Sequence, residues 1–380
     1  MLIKEVRARK IKDSRREDTI EVSVNECKAS SPSGKSTGKF ETPSYHKSIN
    51  WNIKSINSLK FDFEINSFAD LKKVENLIKK KFKLKDAKQF GANALFALES
   101  AILKALAKSE KKELWQVINP KAKDFPVPIG NAIGGGKHSE DFKVHPIFQE
   151  FLLIPHEKTF EKNVAVMKTI YNELGRILNA KEKNDEGAWQ VPADNEQILE
   201  VLEKFRNKIR FGADIASSTF YNAKTNQYDY GNKELDKNSQ IHYINALIDK
   251  FHLFYVEDPI EENDFIGFSK IKKNFLVAGD DLTATHITRL KRAIKSKSIN
   301  AMIIKPNQNG SLLELKEIFT LCRTHKFKTI LSHRSGETLD PAIADYAFAF
   351  GADFIKTGIA TPWREAKLNR MIEIERSLRK

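Results

Sequence analysis

Cysteine is nearly absent. The chain has only Cys27 and Cys322, far apart and outside any CxxC, which leaves neither a disulfide framework nor a cysteine-held zinc cluster. Long apolar runs are missing too: no uninterrupted stretch approaches the roughly 20 residues of a membrane span. The opening MLIKEVRARK is charged from its fourth residue and has no apolar core for a secretory leader. These absences predict a soluble, intracellular protein of the cytoplasm with no membrane partner. No basic stretch is interleaved with aromatics. The formal charge of +14 is spread over helices beside glutamates, as in KIKKNF and ELKEIF, so it reads as solvated surface and predicts no specific nucleic-acid partner. A phosphate loop is also missing despite the GKS at 34–36. That loop needs a glycine where Ala29 stands and a helix directly after the serine, whereas Thr37, Gly38 and Pro43 follow.

What is present is a chain of 380 residues, 41% hydrophobic, long enough for two domains, one of them large. Residues 2–11 and 19–24 alternate as two antiparallel strands. SPSGKSTGKFETPS is an exposed loop, and helical patterns run over Leu71–Lys83 and Ala92–Ala107. These make a small α+β domain, placed at 1–124. FPVPIGNAIGGGKH, with its prolines and glycines, reads as the seam into a second domain at 125–380, whose first strand is EFLLIP. The segment STFYNAKTNQYDYGNK reads as a hairpin-like excursion.

The second domain is organised around apolar strand-like runs that each end in a polar residue: FGADIA with Asp214, LFYVEDP with Glu257, LVAGDD with Asp280, INAMIIKPN with Lys305, KTILSHRSGET with His333, Arg334 and Ser335, and DFIKTG with Lys356. From Glu257 onward these ends recur about every 25 residues with amphipathic helical segments between them, the pitch of a β/α barrel whose strand ends share one mouth. Three facing carboxylates would repel unless a cation sat between them, and oxygen-only ligands favour Mg²⁺. A lysine near that ion has its neutral form favoured, as a general base requires. His333, Arg334 and Ser335 offer a cation, a fork and a hydroxyl that match a phosphate. Taken singly, each strand-end acid is better explained by a helix cap or a lysine partner; three in register favour a site.

Together SHRSGET, VEDP, GDDL, PSGKSTG, GANAL, VPIGNAIGGGKH, QEF and DEG, in that family's order along the chain from about residue 3 to 378, resemble the signatures of the enolases, the phosphopyruvate hydratases of glycolysis. The resemblance implies an α+β capping domain followed by a TIM-like ββαα(βα)₆ barrel, a homodimer, and reversible dehydration of 2-phosphoglycerate with two Mg²⁺ ions. It implies that Asp214, Glu257 and Asp280 hold the first ion and that Ser36, on a mobile loop, joins the second. It further implies that Lys305 abstracts the C2 proton, that Glu186 in DEG protonates the departing hydroxide with help from Glu150 in QEF, that Lys356 steadies the carboxylate, and that Arg334, Ser335 and His138 hold the phosphate. The chain departs from the pattern at Arg16 and Lys35, where small residues are usual, at Ala188 and Trp189 after DEG, and in the spacing from His138 to Glu150. Two alternatives stay open: a related barrel acting on another phosphorylated or carboxylate substrate, and a non-catalytic enolase-like binding protein.

Overall fold

The computed structural model describes residues 1–34, 38–139 and 145–379, with the side chain of His138 also left out. Alternation in the N-terminal segment gives β1 (Val6–Lys12) and β2 (Asp18–Val24), paired antiparallel, and β3 (Cys27–Ser30) on the far edge of β2. Ile20, Val22 and Val24 point inward from β2 and are fully buried, the period-2 face of a half-covered sheet. Then come α1 (Ile49–Asn57), capped by the Ser48 hydroxyl, and α2 (Leu71–Phe82). The third helix, α3 (Ala92–Glu110), is buried along most of its length. It lies between the small sheet and the barrel, which is why its sequence is Ala- and Leu-rich on every side.

The barrel opens with β4 (Val127–Gly134) and β5 (Glu150–Ile154). Helices α4 (Phe160–Ile177) and α5 (Asn195–Glu203) follow, then β6 (Arg210–Asp214), α6 (Lys237–Phe251), β7 (Tyr255–Glu257), β8 (Leu276–Gly279), α7 (Ile287–Ser296) and β9 (Ala301–Ile304). The chain ends with α8 (Leu312–Thr324), β10 (Lys328–Ser332), α9 (Ala342–Phe350), β11 (Phe354–Lys356) and α10 (Pro362–Leu378). The short helix Phe265–Ser269 stands between β7 and β8. Eight strands close on themselves, with β11 pairing β4. This is the ββαα(βα)₆ order, and the barrel interior is packed by residues such as Ile129, Leu152, Ile303 and Ile330.

One expectation is overturned here. Residues 127–134, read as a linker from their prolines and glycines, are the first barrel strand, so EFLLIP is the second. Pro128 is tolerated near the start of its strand, and Gly130 leaves space that a Cβ would take from Ile359 and Met167.

Strand direction matters for the site. β5 runs antiparallel to both β4 and β6, with Glu150 opposite Gly134 and Asp214, so its first residue reaches the rim where its neighbours place their last. STFYNAKTNQYDYGNK forms most of a small three-stranded antiparallel sheet over 221–236.

Candidate active site

The small domain is stitched onto the barrel mouth. Ser33 and Gly336 exchange backbone hydrogen bonds at 2.7 and 2.9 Å, and Ser14 N–H donates to the Glu337 carbonyl at 2.7 Å. Gly336 is obligatory at this approach, since a Cβ there would fall 2.1 Å from an Asp13 oxygen. The turn is held from behind by Arg364, fully buried, whose guanidinium donates to the carbonyls of Arg334 and Ser335 at 2.6 and 2.7 Å.

Eight of the residues singled out line one pocket at this mouth: three acids of the barrel rim (Glu150, Asp214 and Asp280), Lys305 and Lys356, and the His333–Ser335 turn. Glu186 is a ninth, and Glu257 joins through its ion pair with Lys356. Ser36 lies outside the described residues, and so does the side chain of His138.

The acids meet lysines before they meet one another. Lys356 Nζ lies 2.7 Å from Glu150 and from Glu257 and 3.5 Å from Asp214, while Lys305 pairs with Asp280. Tyr255, two residues before Glu257 on the same face of β7, donates its hydroxyl to Glu257 at 2.5 Å. Gln149 donates to Asp214 at 3.2 Å. Among the described residues no three acidic, histidine or cysteine side chains are grouped closely enough to hold a metal ion. Two ammonium groups hold the three carboxylates expected to face one cation in separate sets, because a buried carboxylate takes the nearest available positive charge. The donors still suit a hard cation in kind. All are oxygens, and Glu257 Oε1 and Asp280 Oδ1 are buried without a hydrogen-bond partner among the described residues. The lysines take the other oxygen of each, Glu257 Oε2 and Asp280 Oδ2.

The facing carboxylates favour the ammonium form of both lysines. Burial pulls Lys305 down, but the Asp280 carboxylate outweighs it and the ammonium form is favoured beyond its ordinary range. For Lys356 burial is likewise opposed, by Glu150, Glu257 and Asp214, and the pKa rises well above normal. His333, expected as a cation, is neutral: burial and then Arg364 push its pKa well below 6.5. Its Nδ1 has no partner among the described residues. Arg334 is not an open fork either, for Glu41 and Asn307 occupy part of it.

Glu150 behaves as a proton holder. Burial raises its pKa to about 8 against the pull of Lys356, with Glu186 and Glu257 adding to the rise. Glu186, reached by the Asn131 amide at 3.4 Å, is the carboxyl that shares hydrogen bonding with it. Burial likewise pushes Asp214 well up, whereas Asp280 is drawn down because Lys305 overcomes its burial.

Several residues of this site were missed in the sequence. Asp258 accepts the N–H groups of Asp280 and Asp281 at 3.0 and 2.7 Å and shapes the turn after β8. Asp281 itself is pushed up to about 7 by burial and by Asp280. Their signal was present in VEDP and GDD, one position beyond the acids chosen. Arg15 reaches from the β1–β2 turn to donate to Ser335 Oγ at 3.1 Å. Nothing local in the sequence signals that contact.

A capped (β/α) barrel whose rim gathers lysines, a carboxyl pair and an arginine-bearing turn defines an acid–base enzyme. Family comparison makes this specific. Residues 3–118 match the family model "Enolase, N-terminal domain", and 122–380 match "Enolase, C-terminal TIM barrel domain". The chain is similar to the enolase of Natronomonas pharaonis, 35% identical over 98% of this chain and 99% of that one. It is equally similar to the enolase of Methanocorpusculum labreanum, 35% identical over 98% of each, and 32% identical to that of Archaeoglobus fulgidus over 99% and 97%. The chain belongs to the enolase family, and it is an enzyme, a lyase of the phosphopyruvate hydratase type. No helix among the described residues is long and apolar enough to cross a membrane.

Proposed function

We propose that this chain reversibly dehydrates 2-phosphoglycerate to phosphoenolpyruvate. The observation that carries the reading is one mouth holding both a lysine, Lys305, and a carboxyl pair, Glu150 and Glu186, in which Glu150 keeps its proton up to about pH 8. Lys305 takes the C2 proton; the C2 electrons form the C2–C3 double bond as the C3–O bond breaks, and Glu186, backed by Glu150, gives a proton to the departing hydroxide so that water leaves. Lys356 neutralises the substrate carboxylate. Arg334, Ser335 and His138 hold the phosphoryl group. Asp214, Glu257 and Asp280 would hold Mg²⁺ and Ser36 would join a second ion; when bound, the metal supplies positive charge against the charge building on the carboxylate. Lys305 acts as base only once its pairing with Asp280 is relaxed, since that pairing favours the ammonium form. The homodimer and the cytoplasmic setting belong to the same proposal.

The test is the appearance of phosphoenolpyruvate absorbance from 2-phosphoglycerate with Mg²⁺ supplied to folded protein; no turnover defeats the reading. Lys305→Ala is expected to stop exchange of the C2 hydrogen with solvent, followed by proton NMR in deuterium oxide. Exchange at the wild-type rate would move the base elsewhere.

A further inference from the structure

Arg334 meets the mouth already engaged. Its Nη2 donates to both oxygens of Glu41, at 3.1 and 3.0 Å, and its Nη1 donates to Asn307 Oδ1 at 3.2 Å. Both side chains of the ion pair are buried, 5% and 6% exposed. Glu41 comes from the small domain and is anchored where it sits. Its Oε1 accepts from the Gly38 N–H at 2.9 Å and from the Gln308 amide at 3.3 Å, and the next residue, Thr42, donates its N–H to the Gln308 carbonyl at 3.0 Å. Glu41 and Arg334 line the same pocket as Lys305 and Glu150.

A carboxylate offers a guanidinium what a phosphoryl group offers: two anionic acceptor oxygens at matching separation. A guanidinium buried this deeply needs a counter-charge at all times, and with no oxyanion bound Glu41 supplies it. An incoming anion meets two effects of that carboxylate. Part of the arginine's donor capacity is spoken for, and a like charge stands a few ångströms away in a poorly solvated site. Both weaken binding. We propose that Glu41 is an internal counter-ion that competes with the substrate's phosphoryl group for Arg334 and so sets the affinity of the mouth for oxyanions. When a bound form requires Arg334 to leave Glu41, apparent affinity falls by the fraction of molecules in which it has done so. The inference rests on the reading of Arg334 as the phosphate-binding arginine and adds a residue that tunes it. A purely structural tie between loop and barrel would lower stability when cut and leave anion affinity alone.

The full-length chain, its Glu41→Gln variant and its Glu41→Asp variant are titrated with inorganic phosphate by calorimetry. Glutamine keeps the shape and the acceptor but removes the charge; aspartate keeps the charge. Glu41→Gln is expected to bind phosphate about tenfold more tightly, a gain of about 1.4 kcal/mol, with Glu41→Asp close to wild type. In turnover, KM for 2-phosphoglycerate falls in Glu41→Gln without a rise in kcat. Phosphate affinity in Glu41→Gln that is unchanged or weaker overturns the proposal, and so does failure of both variants to fold, which would make the ion pair structural. A wild-type protein that binds phosphate but does not turn over 2-phosphoglycerate would defeat the proposed reaction while leaving this inference standing. Turnover with one phosphate affinity across all three proteins would do the reverse.

Discussion

Glu150 sits in an environment that favours its neutral form, and the sign of the consequence follows from linkage. Its folded pKa of about 8 lies above the ordinary 4.5, so the folded protein holds this proton more tightly than the unfolded chain does. The stability attached to it is fully present below about pH 4.5 and is lost as pH rises to about 8. Glu150→Gln, which cannot titrate, is expected to flatten the fall in stability over that window. Denaturant midpoints measured from pH 5 to 8 for both proteins check it; parallel curves would mean that Glu150 does not carry the dependence. At this scale the sequence was legible where a polar residue ended an apolar run, as in AMIIK or DFIK. It was silent where the decisive partner is remote: Glu41 and Arg334 are 293 positions apart, and no local pattern marks such a pair. The charge of His333 was misread for the same reason, since burial and then Arg364 decide its proton.

At the scale of elements, the turn after Lys305 shows how the barrel and the small domain depend on each other. Asn307 donates to Asn93 of α3 at 2.9 Å, and Glu99 of the same helix accepts the Leu312 N–H at the start of α8 at 2.7 Å. Between these contacts Gly310 adopts φ +92, and a Cβ there would lie 2.7 Å from the Ala92 Cα. Gly310→Ala is therefore expected to destabilise the fold by about 1–3 kcal/mol and to lower kcat by shifting the Lys305 turn, as equilibrium unfolding and turnover would record. No change in either would show that backbone here moves aside freely. Buried strands of β-branched and aliphatic residues announced themselves; β4 did not, because Pro128 and Gly130 are turn formers by composition and only the surrounding barrel makes them a strand. Helix α1 went unrecognised as well, its nine residues being too short for a firm period.

For the whole molecule, the buried contacts between α3 and the barrel, with the Ser33–Gly336 bridge at the mouth, leave little for the small domain to do alone. Heat or urea is expected to unfold both parts in one transition, with near-ultraviolet and far-ultraviolet dichroism coincident; two separated transitions would show that they fold independently. The reversed second strand has a consequence for anyone who would reprogram such a protein. Shuffling schemes for barrels diversify the segments that leave the strands at the catalytic rim, yet here one proton-carrying carboxyl arrives on a segment that enters its strand. A library confined to outgoing segments would never sample the stretch before Glu150, and a swap that shortened it by one residue would turn that side chain to the barrel's other face.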